Sequence, residues 1–232
     1  MSLGAQRSNL KLGAIIAAAG SSERMGGVDK IFVSIRGKPL LAWSVDTCQG
    51  CDLVQQIVIV LSSANLKLGQ KLAKERAWSK AAVCLGGARR QDSVNEGMRR
   101  LKDCEWVVVH DGARPFLTCK LIQQGVEAAI METGAAVAAV PVNDTIKLAN
   151  ETGVVVKTLR RNQLWAAQTP QIFRSDIITR AYQDLRTEVT DDAAAVERLG
   201  YRVKLYMGAH SNMKVTTPED LTLAEVIAQN MP

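Results

Sequence analysis

The stretch that decides the fold runs from Ala14 to Leu41, AIIAAAGSSERMGGVDKIFVSIRGKPLL. Its opening run, Ala14 to Ala19, is short, apolar and unbroken. That is the length and bulk of a strand buried on both faces of a parallel sheet. At Gly20 the chain turns small, polar and basic. The loop offers backbone amides without large side chains, with Arg24 and Lys30 at a fixed interval. Amides and cations gathered at the end of a strand make a polyphosphate site.

Outward from this stretch, apolar β-type runs alternate with helix-period segments. Residues 14–18, 56–61, 82–85, 106–110 and 135–140 read as strands, and 40–48, 65–78, 91–101 and 118–132 as helices. The rhythm predicts a Rossmann-like α/β fold, a mostly parallel sheet with helices on both faces. Ligands then bind beyond the carboxyl ends of the strands. The Gly20 loop, Gly86-Gly87 and Asp111 each follow a strand directly.

Past Pro141 the rhythm changes. Residues 145–148 and 154–159 flank the turn-rich Ala149-Asn150-Glu151-Thr152-Gly153, which predicts a β-hairpin. Its Val and Ile side chains would stand exposed unless a partner covers them. The reading is one domain over residues 1–232 with a dimerisation arm at about 142–163, and a homodimer through that arm. A lid folded over the site is the competing reading. Residues 176–185 and 191–199 read as helices, 203–207 as a strand and 218–229 as a closing helix. Thr217 caps that last helix, Pro218 takes its first turn, and Glu219 and Asp220 favour its dipole.

With 232 residues, 47% of them hydrophobic, the chain can bury one large core. No apolar run reaches the roughly 18 residues of a membrane span. The opening MSLGAQRSNLKL holds no apolar secretory stretch and reads as a flexible leader, so a cytoplasmic protein is expected. Five cysteines, an odd number without an export signal, argue against structural disulfides. Cys48 and Cys51 form a single CxxC with no second pair to complete a zinc site, and read as two ordinary thiols at a helix end. Lys plus Arg outnumber Asp plus Glu by 29 to 23, a net +6 that suits an acidic partner. Aromatic residues are only 4% and the basic residues form no stripe, which argues against nucleic acid and for small phosphorylated substrates.

The Gly20 loop is not a Walker A motif, since no Gly-Lys-Ser/Thr follows it. Nor is it a dinucleotide fingerprint, because the second strand ends in Leu61-Ser62-Ser63 rather than in an acid. In Cys84-Leu85-Gly86-Gly87-Ala88-Arg89-Arg90-Gln91-Asp92-Ser93 a second Gly loop enters a helix. It is either a plain strand–helix turn or a place where Gly87 lets the backbone approach a flat base, with Ser93 adding a hydrogen bond. Asp111, after the strand ending in His110, either caps its loop or holds Mg²⁺ beside a triphosphate, as Mg²⁺ takes one or two carboxylates plus phosphates. Arg114 reads as a loop anchor, and His110 and His210 as structural.

The motifs AAAG-x-x-x-RM-G, GG-x-x-RQDSV, HDGARPF, DTIK, LWAAQTPQ, VTDDAAAVE and NMKVTTPEDL occur in one order from Ala17 to Leu221. Together they resemble the 2-C-methyl-D-erythritol 4-phosphate cytidylyltransferase family of the non-mevalonate isoprenoid pathway. The related ribitol-5-phosphate cytidylyltransferases share much of the pattern but tend to have Ser where Gly112 stands. A non-catalytic nucleotide-binding regulator is a third reading. One departure from the family is Asp29 before Lys30, where the family usually has Pro.

The resemblance implies transfer of CMP from CTP to a polyol phosphate, with Mg²⁺ or another divalent cation. By motif match, Arg24, Lys30 and Lys214 hold the triphosphate and neutralise charge at the α-phosphate. Ala18, Ala19, Gly20, Gly87 and Ser93 meet the cytidine nucleotide, and Asp111 sits at the metal. Thr145, Arg161, Thr169 and Thr190 bind the acceptor, and the resemblance suggests that the arm brings Arg161 and Thr169 across the dimer.

Overall fold

The computed structural model describes residues 10–20, 30–183, 185 and 187–231. Strand β1 (Leu12–Ala18) leads to a small ribbon, β2 (Ser34–Ile35) and β3 (Lys38–Pro39), and then to α1 (Leu40–Gly50). Strand–helix pairs follow: β4 (Val54–Leu61) with α2 (Leu66–Glu75), β5 (Ala81–Leu85) with α3 (Arg90–Met98), and β6 (Trp106–Asp111) with α4 (Cys119–Met131). Strand β7 (Ala135–Pro141) enters the hairpin strands β8 (Lys147–Ala149) and β9 (Val155–Thr158). The rest is β10 (Trp165–Arg174), α5 (Ser175–Gln183), α6 (Asp192–Arg198), β11 (Lys204–Met207) and α7 (Pro218–Gln229).

Seven strands form one sheet in the order β11-β7-β10-β6-β1-β4-β5. Only β10 runs against its neighbours, β6 and β7, so the sheet is mostly parallel as its apolar runs predict. The alternation of strands and helices did not announce β10. A proline in mid-run removes a ladder donor and argues against a strand. Here the pairing with β7 shifts register between Ala167 and Gln171, and the Thr169–Pro170 peptide is cis.

The strands are apolar throughout, yet they sort by a period of two. Leu12, Ala14 and Ile16 of β1 pack on one face with Ile57, Ile59 and Leu61 of β4. Ile15 faces the other way, with Val58, Val60, Val107 and Val109. This two-faced burial is what a sheet covered on both sides requires. Helix starts follow local chemistry. The Thr118 hydroxyl accepts from the Leu121 amide, and Thr217 with Asp220 forms a capping box ahead of Pro218.

Cys51, at the end of α1, and Cys119, opening α4, are joined in a disulfide with Cα atoms 5.6 Å apart. This overturns the expectation of unpaired thiols. Cysteine parity and the composition of the opening stretch are arguments about compartment. They cannot see that the fold sets side by side two helix ends 68 residues apart in sequence. Cys48 is free and buried, and burial pushes its thiol up to about 12.

The β8–β9 hairpin leaves Leu148, Val154, Val155 and Val156 each more than half exposed. Among the described residues no helix is long and apolar enough to cross a membrane.

Candidate active site

Strands β1, β4, β5 and β6 end along one edge of the sheet. The residues that follow them line a cleft of about 620 Å³. Ala18, Ala19 and Gly20 come from β1, Ser62 and Ala64 from beyond β4, and Gly87 with Arg90 from beyond β5. Asp111 closes β6, Lys30 enters from the 3₁₀ turn Lys30–Phe32, and Lys214 arrives from the far end of the chain. A Cβ at Gly86 would stand 2.7 Å from both the Ala19 Cβ and the Ser93 Oγ. The loops after β1 and β5 therefore touch through a position that only glycine fills. The Ser93 hydroxyl folds the second loop: it accepts from the Gly87 amide at 3.2 Å and lies 3.2 Å from the Arg89 carbonyl.

The Asp111 carboxylate is the electrostatic centre of the cleft. Lys214 Nζ lies 2.9 Å from its Oδ2, Arg90 Nη2 3.2 Å from its Oδ1, and Arg114 Nε 3.7 Å from its Oδ2. Burial works against the charged form, but Arg90, Lys214 and Arg114 outweigh it and hold the carboxyl well below its usual range. Asp111 is ionised at any working pH, and the cations around it exceed its charge.

Lys214 is fixed through its neighbours. Buried Asn212 donates to the Thr169 carbonyl at 2.7 Å, and its own carbonyl accepts from Arg114 Nη1 at 2.8 Å. The Val215 amide donates to the Ala113 carbonyl at 2.8 Å. The residues on either side of the lysine are thus tied to the loop that follows β6, and Arg114 is the anchor of that loop.

His110 is wholly buried behind Asp111. Its Nε2 is 3.0 Å from the Arg114 carbonyl, which can only accept, so Nε2 carries the proton. Nδ1 then accepts from the Thr169 hydroxyl at 3.0 Å, and that hydroxyl accepts from the Asp111 amide at 3.0 Å. Burial pulls the imidazole down to about 4, and the ring is neutral.

The fold thus gathers Ala18, Ala19, Gly20, Lys30, Gly87, Ser93, Asp111 and Lys214 at one cleft. Thr169 stands behind it, buried, with its hydroxyl between His110 and Asp111. Thr145 and Arg161 sit exposed at the hairpin base, where Arg161 Nη1 donates to the Asn143 carbonyl at 2.6 Å. Thr190 is exposed just ahead of α6, whose cap, Asp191, accepts from the Ala194 amide at 2.9 Å. Arg24 and Asp29 lie outside the described residues.

A model of the family described as 2-C-methyl-D-erythritol 4-phosphate cytidylyltransferase matches residues 12–230. The chain belongs to that family. A 2-C-methyl-D-erythritol 4-phosphate cytidylyltransferase of Dehalococcoides mccartyi is 50% identical over 220 residues, covering 94% of this chain and 96% of the relative. The crystal structure of the 4-diphosphocytidyl-2C-methyl-D-erythritol synthase of Anaerococcus prevotii superposes with a TM-score of 0.86 at 27% identity, over 98% of this chain and all of that one. The cytidylyltransferase of Thermus thermophilus gives 0.77 at 31% identity, over 95% of this chain and 100% of that one. In this cytidylyltransferase-family chain, the reading from sequence missed Arg90 and Asn212 as parts of the site. Both lie inside the motifs RQDSV and NMKV, but nothing in their spacing says that one meets Asp111 and the other Thr169.

Proposed function

We propose that the chain transfers CMP from CTP to 2-C-methyl-D-erythritol 4-phosphate, forming 4-diphosphocytidyl-2-C-methyl-D-erythritol and pyrophosphate. The observation that carries this reading is the convergence of Lys30 and Lys214, from opposite ends of the chain, on one cleft floored by Asp111.

The nucleophile is a phosphate oxygen, ionised because its second pKa lies near ~6. No general base is needed, and His110, neutral with both nitrogens bonded, offers none. The difficulty is electrostatic, since one anion must attack the α-phosphorus of another. Fixed cations and positioning supply the catalysis. Arg24 and Lys30 hold the triphosphate. Lys214, whose side chain is 40% exposed, meets the α-phosphate from its place beside Asp111. The backbone at Ala18, Ala19, Gly20 and Gly87, with the loop that Ser93 folds, takes the cytidine.

Asp111 supplies one carboxylate, and among the described residues there is no cluster of three metal-ligating side chains. One carboxylate plus substrate phosphates fits Mg²⁺, which seldom uses an all-protein cage. When bound, the metal neutralises charge on the triphosphate.

Thr145, Arg161 and Thr190 meet the acceptor phosphate, and Thr169 acts from behind Asp111. The exposed valines of the hairpin fit an arm that docks on a second copy, and this arm would carry Arg161 to the neighbouring site. A planar guanidinium suits a bidentate phosphate grip.

A coupled pyrophosphate assay with CTP tests the reading. Release with 2-C-methyl-D-erythritol 4-phosphate and little with ribitol 5-phosphate supports it. The reverse preference moves the acceptor to ribitol 5-phosphate. CTP binding without release under either condition overturns catalysis.

A further inference from the structure

Arg90, the first residue of α3, lies between two carboxylates. Its Nε and Nη2 are 3.3 Å and 3.2 Å from Asp111 Oδ1. Its Nη1 is 2.7 Å from Asp192 Oδ2, on the other side. Asp192 is wholly buried at the start of α6, and its Oδ1 accepts from the Tyr182 hydroxyl. All three guanidinium nitrogens therefore face carboxylate oxygens. Arg90 lines the cleft, but its charge is shared between these two carboxylates.

The next residue grips the same segment. Buried Gln91 accepts from the Val189 amide at 3.2 Å and donates to the Thr187 carbonyl at 3.5 Å. The first turn of α3 thus holds Asp111 on the nucleotide side and residues 187–192 on the side of Thr190. A guanidinium fork with two prongs on one oxygen and the third anchored elsewhere fixes orientation as well as charge.

We propose that Arg90, clamped by Asp192, is a positioning residue: it holds Asp111 so that Oδ2 stays turned to Lys214, and it keeps that pair in register with the Thr187–Asp192 segment. This rests on the cytidylyltransferase reading. Arg90 touches neither substrate. It sets the line along which they meet, and small misplacements of reacting groups are costly, up to roughly 10²-fold for about 1 Å.

The test uses the full-length protein and the variants Arg90→Lys, Asp192→Asn and Tyr182→Phe. For each, kcat and both KM values are measured, together with the CTP dissociation constant by calorimetry without acceptor. Arg90→Lys keeps the charge but loses the fork, and should lower kcat roughly 10- to 100-fold while CTP affinity changes less than about 3-fold. Asp192→Asn should follow it in direction, and Tyr182→Phe should cost less, since it removes only one hydroxyl. If Asp192→Asn does not fold, Arg90→Lys with Tyr182→Phe decides. An unchanged kcat in Arg90→Lys overturns the proposal, and so does a loss of CTP binding parallel to the loss of kcat, which would make Arg90 a nucleotide ligand. Wild-type protein without turnover on any polyol phosphate overturns the underlying reading as well. Normal wild-type turnover with an undisturbed Arg90→Lys overturns this proposal alone.

Discussion

Lys214 Nζ stands 2.9 Å from Asp111 Oδ2, joining the end of β6 to a segment near the other end of the chain. The pair joins a half-exposed lysine to a buried carboxylate that Arg90 and Arg114 also hold, so loss of the lysine leaves Asp111 still paired. On the proposed reaction the lysine's importance is chemical, because the ammonium lines the cleft where negative charge would gather. Lys214→Ala should therefore lower kcat by roughly 10²-fold or more, the scale of one electrostatic contact in a preorganised site. The melting temperature should move by only a few degrees. Steady-state kinetics with saturating CTP and acceptor checks this, and near-normal turnover would remove Lys214 from the mechanism.

His110 sets a pH dependence of stability. In the fold its pKa is pulled down to about 4, chiefly by burial, against an ordinary value of 6.5. Between these two values the unfolded chain binds the proton and the folded chain does not. Stability is therefore full above pH 6.5 and falls as the pH drops toward 4, by about 3 kcal/mol if the whole shift is expressed. Protonating Nδ1 would also set an N–H against the Thr169 hydroxyl, which already needs to donate there. Urea midpoints across this window should slope in the wild type and flatten in His110→Gln. Parallel slopes in the two proteins would show that the ring is not the cause.

The parallel part of the sheet was legible because buried strands of this kind are unbroken apolar runs, as in Ile57 to Leu61 and Trp106 to Val109. The cleft was legible for a related reason. In a parallel sheet, loops after strands collect at one edge, so Gly20, Gly87 and Asp111 had to be neighbours. Three features were hidden. The strand β10 carries Gln168-Thr169-Pro170, which local pattern reads as an interruption. The Cys51–Cys119 bond depends on the fold bringing the end of α1 to the start of α4 and leaves no trace in spacing. Arg90 and Arg89 are identical in local sequence signal, but one meets Asp111 and Asp192 while the other pairs with Asp92 at the surface. Arg89 is the extended N-cap of α3 and Arg90 its first helical residue, so the two side chains leave the backbone in different directions, and where the helix starts decides which of them points inward.

The hairpin carries a prediction about assembly. Val155 and Val156 point to opposite sides of β9, yet both are exposed. The variant V155D/V156D puts two charges into any surface that covers them, and should shift the protein from dimer to monomer in sedimentation velocity. If Arg161 serves the neighbouring site, the same variant should raise the KM for the acceptor, and Arg161→Ala should do so by roughly 10-fold or more with little change for CTP. A monomeric wild type, or an effect of Arg161→Ala confined to CTP, would count against the shared site.

The disulfide gives the last prediction. Cys51 and Cys119 close a loop of 68 residues that contains β4, α2, β5, α3 and β6, most of the nucleotide side of the sheet. Restricting the unfolded chain over such a loop is worth about 4 kcal/mol in the chain-entropy account, an upper figure since unfolded chains retain structure. Thiol titration of the oxidised protein in denaturant should report three thiols, those of Cys48, Cys84 and Cys104. After reduction it should report all five. Cys119→Ser should lower the urea midpoint to that of reduced wild type, and adding reductant to the variant should change nothing further. Cys48→Ser should still lose stability on reduction, because its sulfur takes no part in the bond. Five titratable thiols without reductant would show that the two helix ends are held by packing alone.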